Sequence, residues 1–265
     1  MRIYPDMKYV GLHYGAFTVL ISFLFYAPVL IAEGDYLAFP YVLFMIGGGT
    51  APFWVALVFL RLQRKSVIGF LKSCVAFHRI KKTHFGIMAL FLFILVLLPL
   101  LTTNILSQGW LWIAPSVSVF FPIGLIFGGL EEPGWRGYMQ KISEQEFRPI
   151  IVCLFIGFFW ALWHWPLFFI EDTYQHGLGA FSADFWRFNL MIIITTPIYA
   201  FLFHITRHSI PVLILFHGLG NALREVLHTP DAFHVLIAEG ALVLIVLVVG
   251  RRYFFGRKSG LSDPL

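Results

Sequence analysis

The chain has 265 residues, of which 59% are hydrophobic and only 12% are charged, and its mean hydropathy is +0.81. Because a soluble domain is about 45–50% apolar, this composition excludes an ordinary soluble protein and predicts an integral membrane protein. In such a chain the net charge of +5 indicates membrane sidedness, not nucleic-acid binding. The two cysteines, Cys74 and Cys153, lie far apart and predict neither a disulfide framework nor a cysteine metal site.

Eight apolar stretches follow one another, each close to the roughly 20 residues that a membrane-spanning helix needs. They predict an all-α polytopic fold with about eight transmembrane helices in a single membrane domain, residues 1–265. The first stretch is predicted to be a retained span and not a cleaved signal peptide. The stretches are Val10–Ile31, Tyr41–Leu60, Phe85–Leu101, Trp112–Leu130, Ile150–Ile170, Phe188–Phe203, Pro211–Leu227 and Phe233–Val249.

The basic residues separate between the two sides of the membrane. Of the 19 Lys and Arg residues, all except Arg187 and Arg224 fall in connections on the amino-terminal side. Since Lys and Arg concentrate in cytoplasmic loops, both termini are predicted to be cytoplasmic. The longest such connection, residues 61–84, mixes basic and apolar residues. It predicts a cytoplasmic interfacial helix that anchors to anionic headgroups or, alternatively, a surface that recruits substrate.

Charged residues directly follow the fourth apolar stretch, in the sequence Glu131-Glu132-Pro133-Gly134-Trp135-Arg136. Ionisable residues at membrane depth are rare and mark functional sites. The spacing of four between Glu132 and Arg136 predicts a neutralising pair on one helix face, which leaves Glu131 without an obvious partner. Pro133 predicts a kink or break of the helix at Glu132.

Three further polar residues lie in later stretches: His164 in the fifth, and His217 and Asn221, four apart on one face, in the seventh. Because glycines let membrane helices approach closely, we expect these side chains to meet Glu131 in a polar cavity within spans four to seven. The depth of His164 agrees with the others only if its helix starts late or tilts. The flanking glycines are Gly128, Gly129, Gly134, Gly137, Gly218 and Gly220.

These residues resemble the three motifs of the CPBP (Abi) family of intramembrane endopeptidases, which includes type II CAAX prenyl endopeptidases and proteins linked to bacteriocin processing and immunity. The resemblance covers residues 112–227, a predicted catalytic core, and agrees in motif order, spacing and location in spans. In one position the chain departs from the family, because Trp160 stands where the family usually has Phe. The motif residues are Glu131, Glu132, Arg136, His164, His217 and Asn221.

The resemblance implies that Glu131 activates the attacking water and that His164 assists it. By the same resemblance, His217 and Asn221 stabilise the oxyanion. Glu132 and Arg136 would support the site. Peptide hydrolysis does need a base for water and donors aimed at the developing negative oxygen.

Several alternatives stay open at this point. The leading interpretation needs no cofactor, whereas a second one makes Glu131, His164 and His217 ligands of zinc. A third is a noncatalytic immunity or peptide-binding protein of the same fold. A transporter is disfavoured, since the sequence has no obvious paired halves. The expected partners are the lipid bilayer and a peptide or protein substrate, either soluble or membrane-associated. No nucleic-acid partner is expected.

Overall fold

The computed structural model describes residues 9–32, 35–97, 113–227 and 233–256, and these ranges contain helices and turns but no β-strand. Short 3₁₀ or π-helical segments extend or connect several of the α-helices. The α-helices used below are α1 Val10–Ala32, α2 Tyr41–Gly49, α3 Ala51–Leu62, α4 Val67–Cys74, α5 Lys82–Leu92, α6 Ile113–Phe127, α7 Pro149–Trp163, α8 Tyr174–Leu178, α9 Ala183–Ile205, α10 Ile210–Leu227, α11 Phe233–Val249 and α12 Arg251–Phe255.

The all-α polytopic class is confirmed. Within the described residues, four continuous helical segments are long and apolar enough to cross a membrane: α1, α9, α10 and Pro149–Phe169, in which a 3₁₀ segment extends α7. A fifth span is formed by α2 and α3 together if this bent pair counts as one. Each of the eight predicted stretches contains a helix within the described residues.

The sixth stretch begins earlier than predicted, at Ala183 instead of Phe188. Its first turn carries Asp184 and Arg187, so hydropathy alone placed that turn outside the helix. A capping signal marks the true start, because the Ser182 hydroxyl accepts a hydrogen bond from the Phe185 amide at 3.1 Å. Helix starts of this kind are visible in sequence as Ser followed by a polar first turn.

The second stretch was predicted as one helix and is instead a pair, α2 and α3, bent by 60°. Pro52 lacks an amide hydrogen to continue the α2 ladder, and the Thr50 hydroxyl bonds the Ile46 carbonyl at 2.6 Å. The bend presents the Pro52 carbonyl to Tyr14, whose hydroxyl donates to it at 2.6 Å. A Cβ on Gly134 would overlap both of these groups. The bend therefore holds the segment after Glu132 against α1 and α3.

The predicted interfacial connection contains α4, capped by the Ser66 hydroxyl, which accepts a hydrogen bond from the Gly69 amide at 2.9 Å. Phe70 and Cys74 on this helix are buried, whereas Ile68 and Leu71 are exposed. One face of α4 thus packs on the protein and another is apolar and open. Its attachment to headgroups stays a prediction.

Helices α6 and α10 pack at backbone contact. A Cβ on Gly124 would overlap the carbonyl oxygen of Gly218, and one on Gly218 would lie 2.9 Å from Leu125. Close approach through small residues is common between membrane helices. The sequence prediction did not include Gly124. It did include Gly220, where an added Cβ would make only an ordinary contact with Leu92.

An ion pair fastens α10 to α11. Arg224 Nη2 lies 2.5 Å from Glu239 Oε1, and the Glu239 side chain is 5% exposed. Sequence reasoning gave Glu239 no role, although an acid in the middle of an apolar stretch needs a partner.

Candidate functional site

The chain path after α6 sets the position of the two adjacent glutamates. The α-helix ends at Phe127, a 3₁₀ turn spans Gly129–Glu131, and a π-helix runs from Pro133 to Gln140. The interruption therefore lies at Gly128, upstream of the predicted break, and Glu132 keeps helical backbone angles. Pro133 has no amide hydrogen to donate to an α-helical hydrogen bond, and the segment that begins with it is a π-helix. Short π-helical segments occur often at functional sites.

Glu131 is buried, with 2% of its surface exposed. Its Oε2 accepts a hydrogen bond of 2.6 Å from the indole Nε1 of Trp160 on α7. Sequence reasoning treated Trp160 only as an aromatic motif match and missed this donor. The signal that pointed to it was the departure from Phe, since an indole carries an N–H that a phenyl ring lacks.

Glu132 is fully buried and its Oε1 serves two partners. Arg136 Nη1 donates to it at 3.2 Å, so the predicted pair forms. His217 Nδ1 also lies 2.8 Å from the same oxygen. The expectation that His217 contacts Glu131 is therefore corrected, because the hydrogen bond of His217 is with the neighbouring carboxylate, Glu132.

Arg136 is fully buried between two aromatic rings. Its Cζ lies 4.4 Å from the centroid of the Trp160 ring and 4.5 Å from that of Tyr199 on α9. Cation–π contacts of this kind stabilise a desolvated guanidinium. Tyr199 also packs edge-on against His217, with ring centroids 5.4 Å apart. Nothing in the sequence spacing identified Tyr199, since it lies in a span without a motif.

His164 ends α7 and is partly exposed. Its Nδ1 lies 2.8 Å from the Trp160 carbonyl oxygen. Trp160 contacts both Glu131 and His217 and lies one helical turn before His164. His164 is thus joined to Glu131 through Trp160.

Asn221 lies one turn after His217 on α10, and both face the point where α6 is interrupted. A Cβ on Gly128 would lie 2.5 Å from Asn221 Nδ2 and 3.0 Å from His217 Cδ2. The predicted residues therefore gather at one place, with Glu131 held by α7 and Glu132 held by α10.

The fit of the site to zinc was tested on its side chains. Within the described part of the chain, no group of three or more His, Cys, Asp or Glu side chains is arranged to hold one metal ion. The ligand set proposed from the sequence, Glu131, His164 and His217, is thus not gathered as a metal centre, and zinc dependence stays a question for measurement.

Comparisons with known proteins agree with the motif resemblance. The sequence model of Rce1-like type II CAAX prenyl endopeptidases matches residues 107–223, which include all six motif residues. The CAAX prenyl protease 2 of Methanococcus maripaludis is 27% identical over 251 residues, which cover 86% of this chain and 91% of the relative. Both comparisons thus support the resemblance of this integral membrane protein to the CPBP family of intramembrane proteases.

Proposed function

We propose that the protein hydrolyses a peptide bond with a water molecule activated by Glu131. The supporting observation is the buried Glu131 carboxylate, one oxygen of which accepts a hydrogen bond from the Trp160 indole. His164 lies one helical turn after Trp160 and contacts its carbonyl oxygen. The remaining oxygen, Oε1, takes the proton of the attacking water. A general base of this kind contributes about 10²- to 10⁴-fold to the rate.

The hydrogen bond of His164 determines which ring nitrogen is available. A backbone carbonyl only accepts hydrogen bonds, so Nδ1 carries the hydrogen that it donates to the Trp160 oxygen. In the neutral ring Nε2 then keeps its lone pair. This nitrogen assists Glu131 by accepting a hydrogen bond from the attacking water.

His217 and Asn221 stabilise the oxyanion. Because Nδ1 of His217 donates to Glu132, Nε2 carries a hydrogen for the oxyanion only when both nitrogens are protonated. The Glu132 carboxylate lies against His217 Nδ1 and Arg136 Nη1. Asn221 donates from its amide without adding charge. Donors aimed at a developing oxyanion are among the largest contributions to catalysis.

The substrate we propose is a membrane-associated peptide or protein. The matching family model and the Methanococcus maripaludis relative are both named for CAAX prenyl substrates. A peptide ending in a prenylated CAAX sequence is therefore the first substrate to test, beside the same peptide without the lipid.

Two alternatives remain to be tested against this mechanism. A noncatalytic immunity or peptide-binding protein would use the same site without cleavage. A zinc-dependent protease would need ligands such as Glu131, His164 and His217, which the described structure does not arrange around one ion. The noncatalytic immunity function is favoured if a Glu131→Gln variant protects cells against a bacteriocin as well as the wild type does. The second is favoured if a chelator abolishes activity and stoichiometric zinc restores it.

The test uses the purified protein in nanodiscs with the two peptides in ¹⁸O-labelled water. We expect a product whose new carboxyl group carries one ¹⁸O atom, formed without added metal. Membranes from cells with wild-type and Glu131→Gln protein are compared by mass spectrometry in parallel. The proposal fails if no peptide terminus disappears in the variant membranes and neither peptide is cleaved.

Gly128→Ala is expected to lower kcat by about 100-fold, since misplacing site groups by about 1 Å costs that much. The new Cβ would push on Asn221 Nδ2, His217 Cδ2 and the Gly124 carbonyl. Gly220→Ala is the matched control on α10, because its Cβ would meet only Leu92 Cδ2 at 3.6 Å. Equal kcat values for the two variants would show that a Cβ at position 128 does not displace the catalytic side chains.

A further inference from the structure

Trp160 contacts four of the residues that form the site. Its side chain donates to Glu131 Oε2 at 2.6 Å, and its backbone oxygen accepts from His164 Nδ1 at 2.8 Å. Its ring covers Arg136 at 4.4 Å and packs edge-on against His217, with ring centroids 5.5 Å apart. It is 5% exposed.

We infer that Trp160 is a positioning residue for hydrolysis and acts through its indole N–H on Glu131. The inference rests on the proposed function, since it assigns Glu131 the role of base. An indole N–H only donates, so it fixes one carboxylate oxygen and leaves the other to take a proton. Hydrogen bonds to ionised acceptors are short and about twice as strong as neutral ones.

This bond requires the indole N–H of Trp160 and not merely an aromatic ring at this position. A phenyl ring can cover Arg136 and pack against His217 as the indole does, but it cannot hold Glu131. The indole fixes the orientation of the carboxylate instead of leaving it to packing.

A purely structural role for the ring is the competing interpretation, and two substitutions separate it from the N–H. Trp160→Phe removes both the N–H and part of the ring. Replacing Trp160 with benzothienylalanine by codon suppression removes the N–H alone, because sulfur takes its place in a ring of similar size. Trp165→Phe is the control, since its indole donates at 3.0 Å to a neutral acceptor, Asn189 Oδ1.

Both substitutions at Trp160 are expected to lower kcat by about 10- to 100-fold, the range for losing a hydrogen bond to a charged group. KM is expected to stay within about twofold, because the indole touches the base and not the substrate. Trp165→Phe should keep both values. The inference is overturned if the benzothienylalanine enzyme keeps the wild-type kcat, or if Trp165→Phe loses as much.

A second measurement is independent of activity. In ¹⁵N-indole NMR spectra of the protein in micelles, the Trp160 signal is assigned by its loss in Trp160→Phe. Glu131→Leu should move this signal upfield and leave that of Trp165 in place. An unmoved Trp160 signal would overturn the inference while leaving the protease proposal intact. If the Trp160 signal moves but the protein cleaves neither peptide, the hydrogen bond to Glu131 is present and the proposed protease function is wrong.

Discussion

Replacing Glu131 with glutamine is expected to lower kcat for peptide cleavage by about 10²- to 10⁴-fold, the usual contribution of a general base. Glutamine has nearly the same shape, and its amide oxygen can still accept the Trp160 indole N–H that now bonds Glu131 Oε2. It cannot take a proton from water. The loss should therefore appear in kcat, while the helical content and the thermal midpoint in detergent stay close to those of the wild type.

The control for this variant is Glu144→Gln, which makes the same chemical change in another buried glutamate. Glu144 Oε1 accepts from Gln140 Nε2 at 2.9 Å and from the Tyr253 hydroxyl at 2.5 Å. Burial raises the pKa of its carboxyl group, and it lies beyond the π-helix that follows the site. We expect normal turnover from it. Full activity in Glu131→Gln, or an equal loss in Glu144→Gln, would contradict the role of Glu131.

The gathering of the site residues was predictable from the sequence because each rule involved is local. Charges at membrane depth require neutralisation, and a spacing of four places His217 and Asn221 on one helix face. Glycines beside them indicate helices in close contact. These rules select the residues that meet. The lack of room for a Cβ on Gly128 beside Asn221 and His217 agrees with them.

The choice of partners within the site was not predictable in the same way. Glu131 and Glu132 are adjacent, so a small rotation of the backbone decides which of them faces His217. That rotation depends on a 3₁₀ turn followed by a π-helix, and neither has a strong sequence pattern. The position of Tyr199 over Arg136 likewise depends on how α9 packs, which a single sequence does not specify.

Replacing Arg136 with methionine is expected to lower the free energy of unfolding by about 3–5 kcal/mol, the usual cost of removing one partner of a buried ion pair. Glu132 would keep only His217, and the Trp160 and Tyr199 rings would lose the guanidinium between them. Arg136→Lys should lie between the variant and the wild type, since an ammonium keeps the charge but not the planar group. Reversible unfolding in mixed detergent measures these differences.

The double variant Glu132→Gln/Arg136→Met distinguishes an unpaired charge from lost packing. Glutamine can still accept from His217 and carries no charge that Arg136 must balance, so the double variant should be more stable than Arg136→Met alone. Arg187→Met is the control, because its partner Asp184, at 3.1 Å, is half exposed and such pairs contribute at most about 1 kcal/mol. Glu132→Gln alone completes the comparison. If the double variant is instead destabilised by the sum of the losses in Glu132→Gln and Arg136→Met, Glu132 and Arg136 act separately. Arg136 then stabilises the site through its two aromatic contacts and not by balancing Glu132.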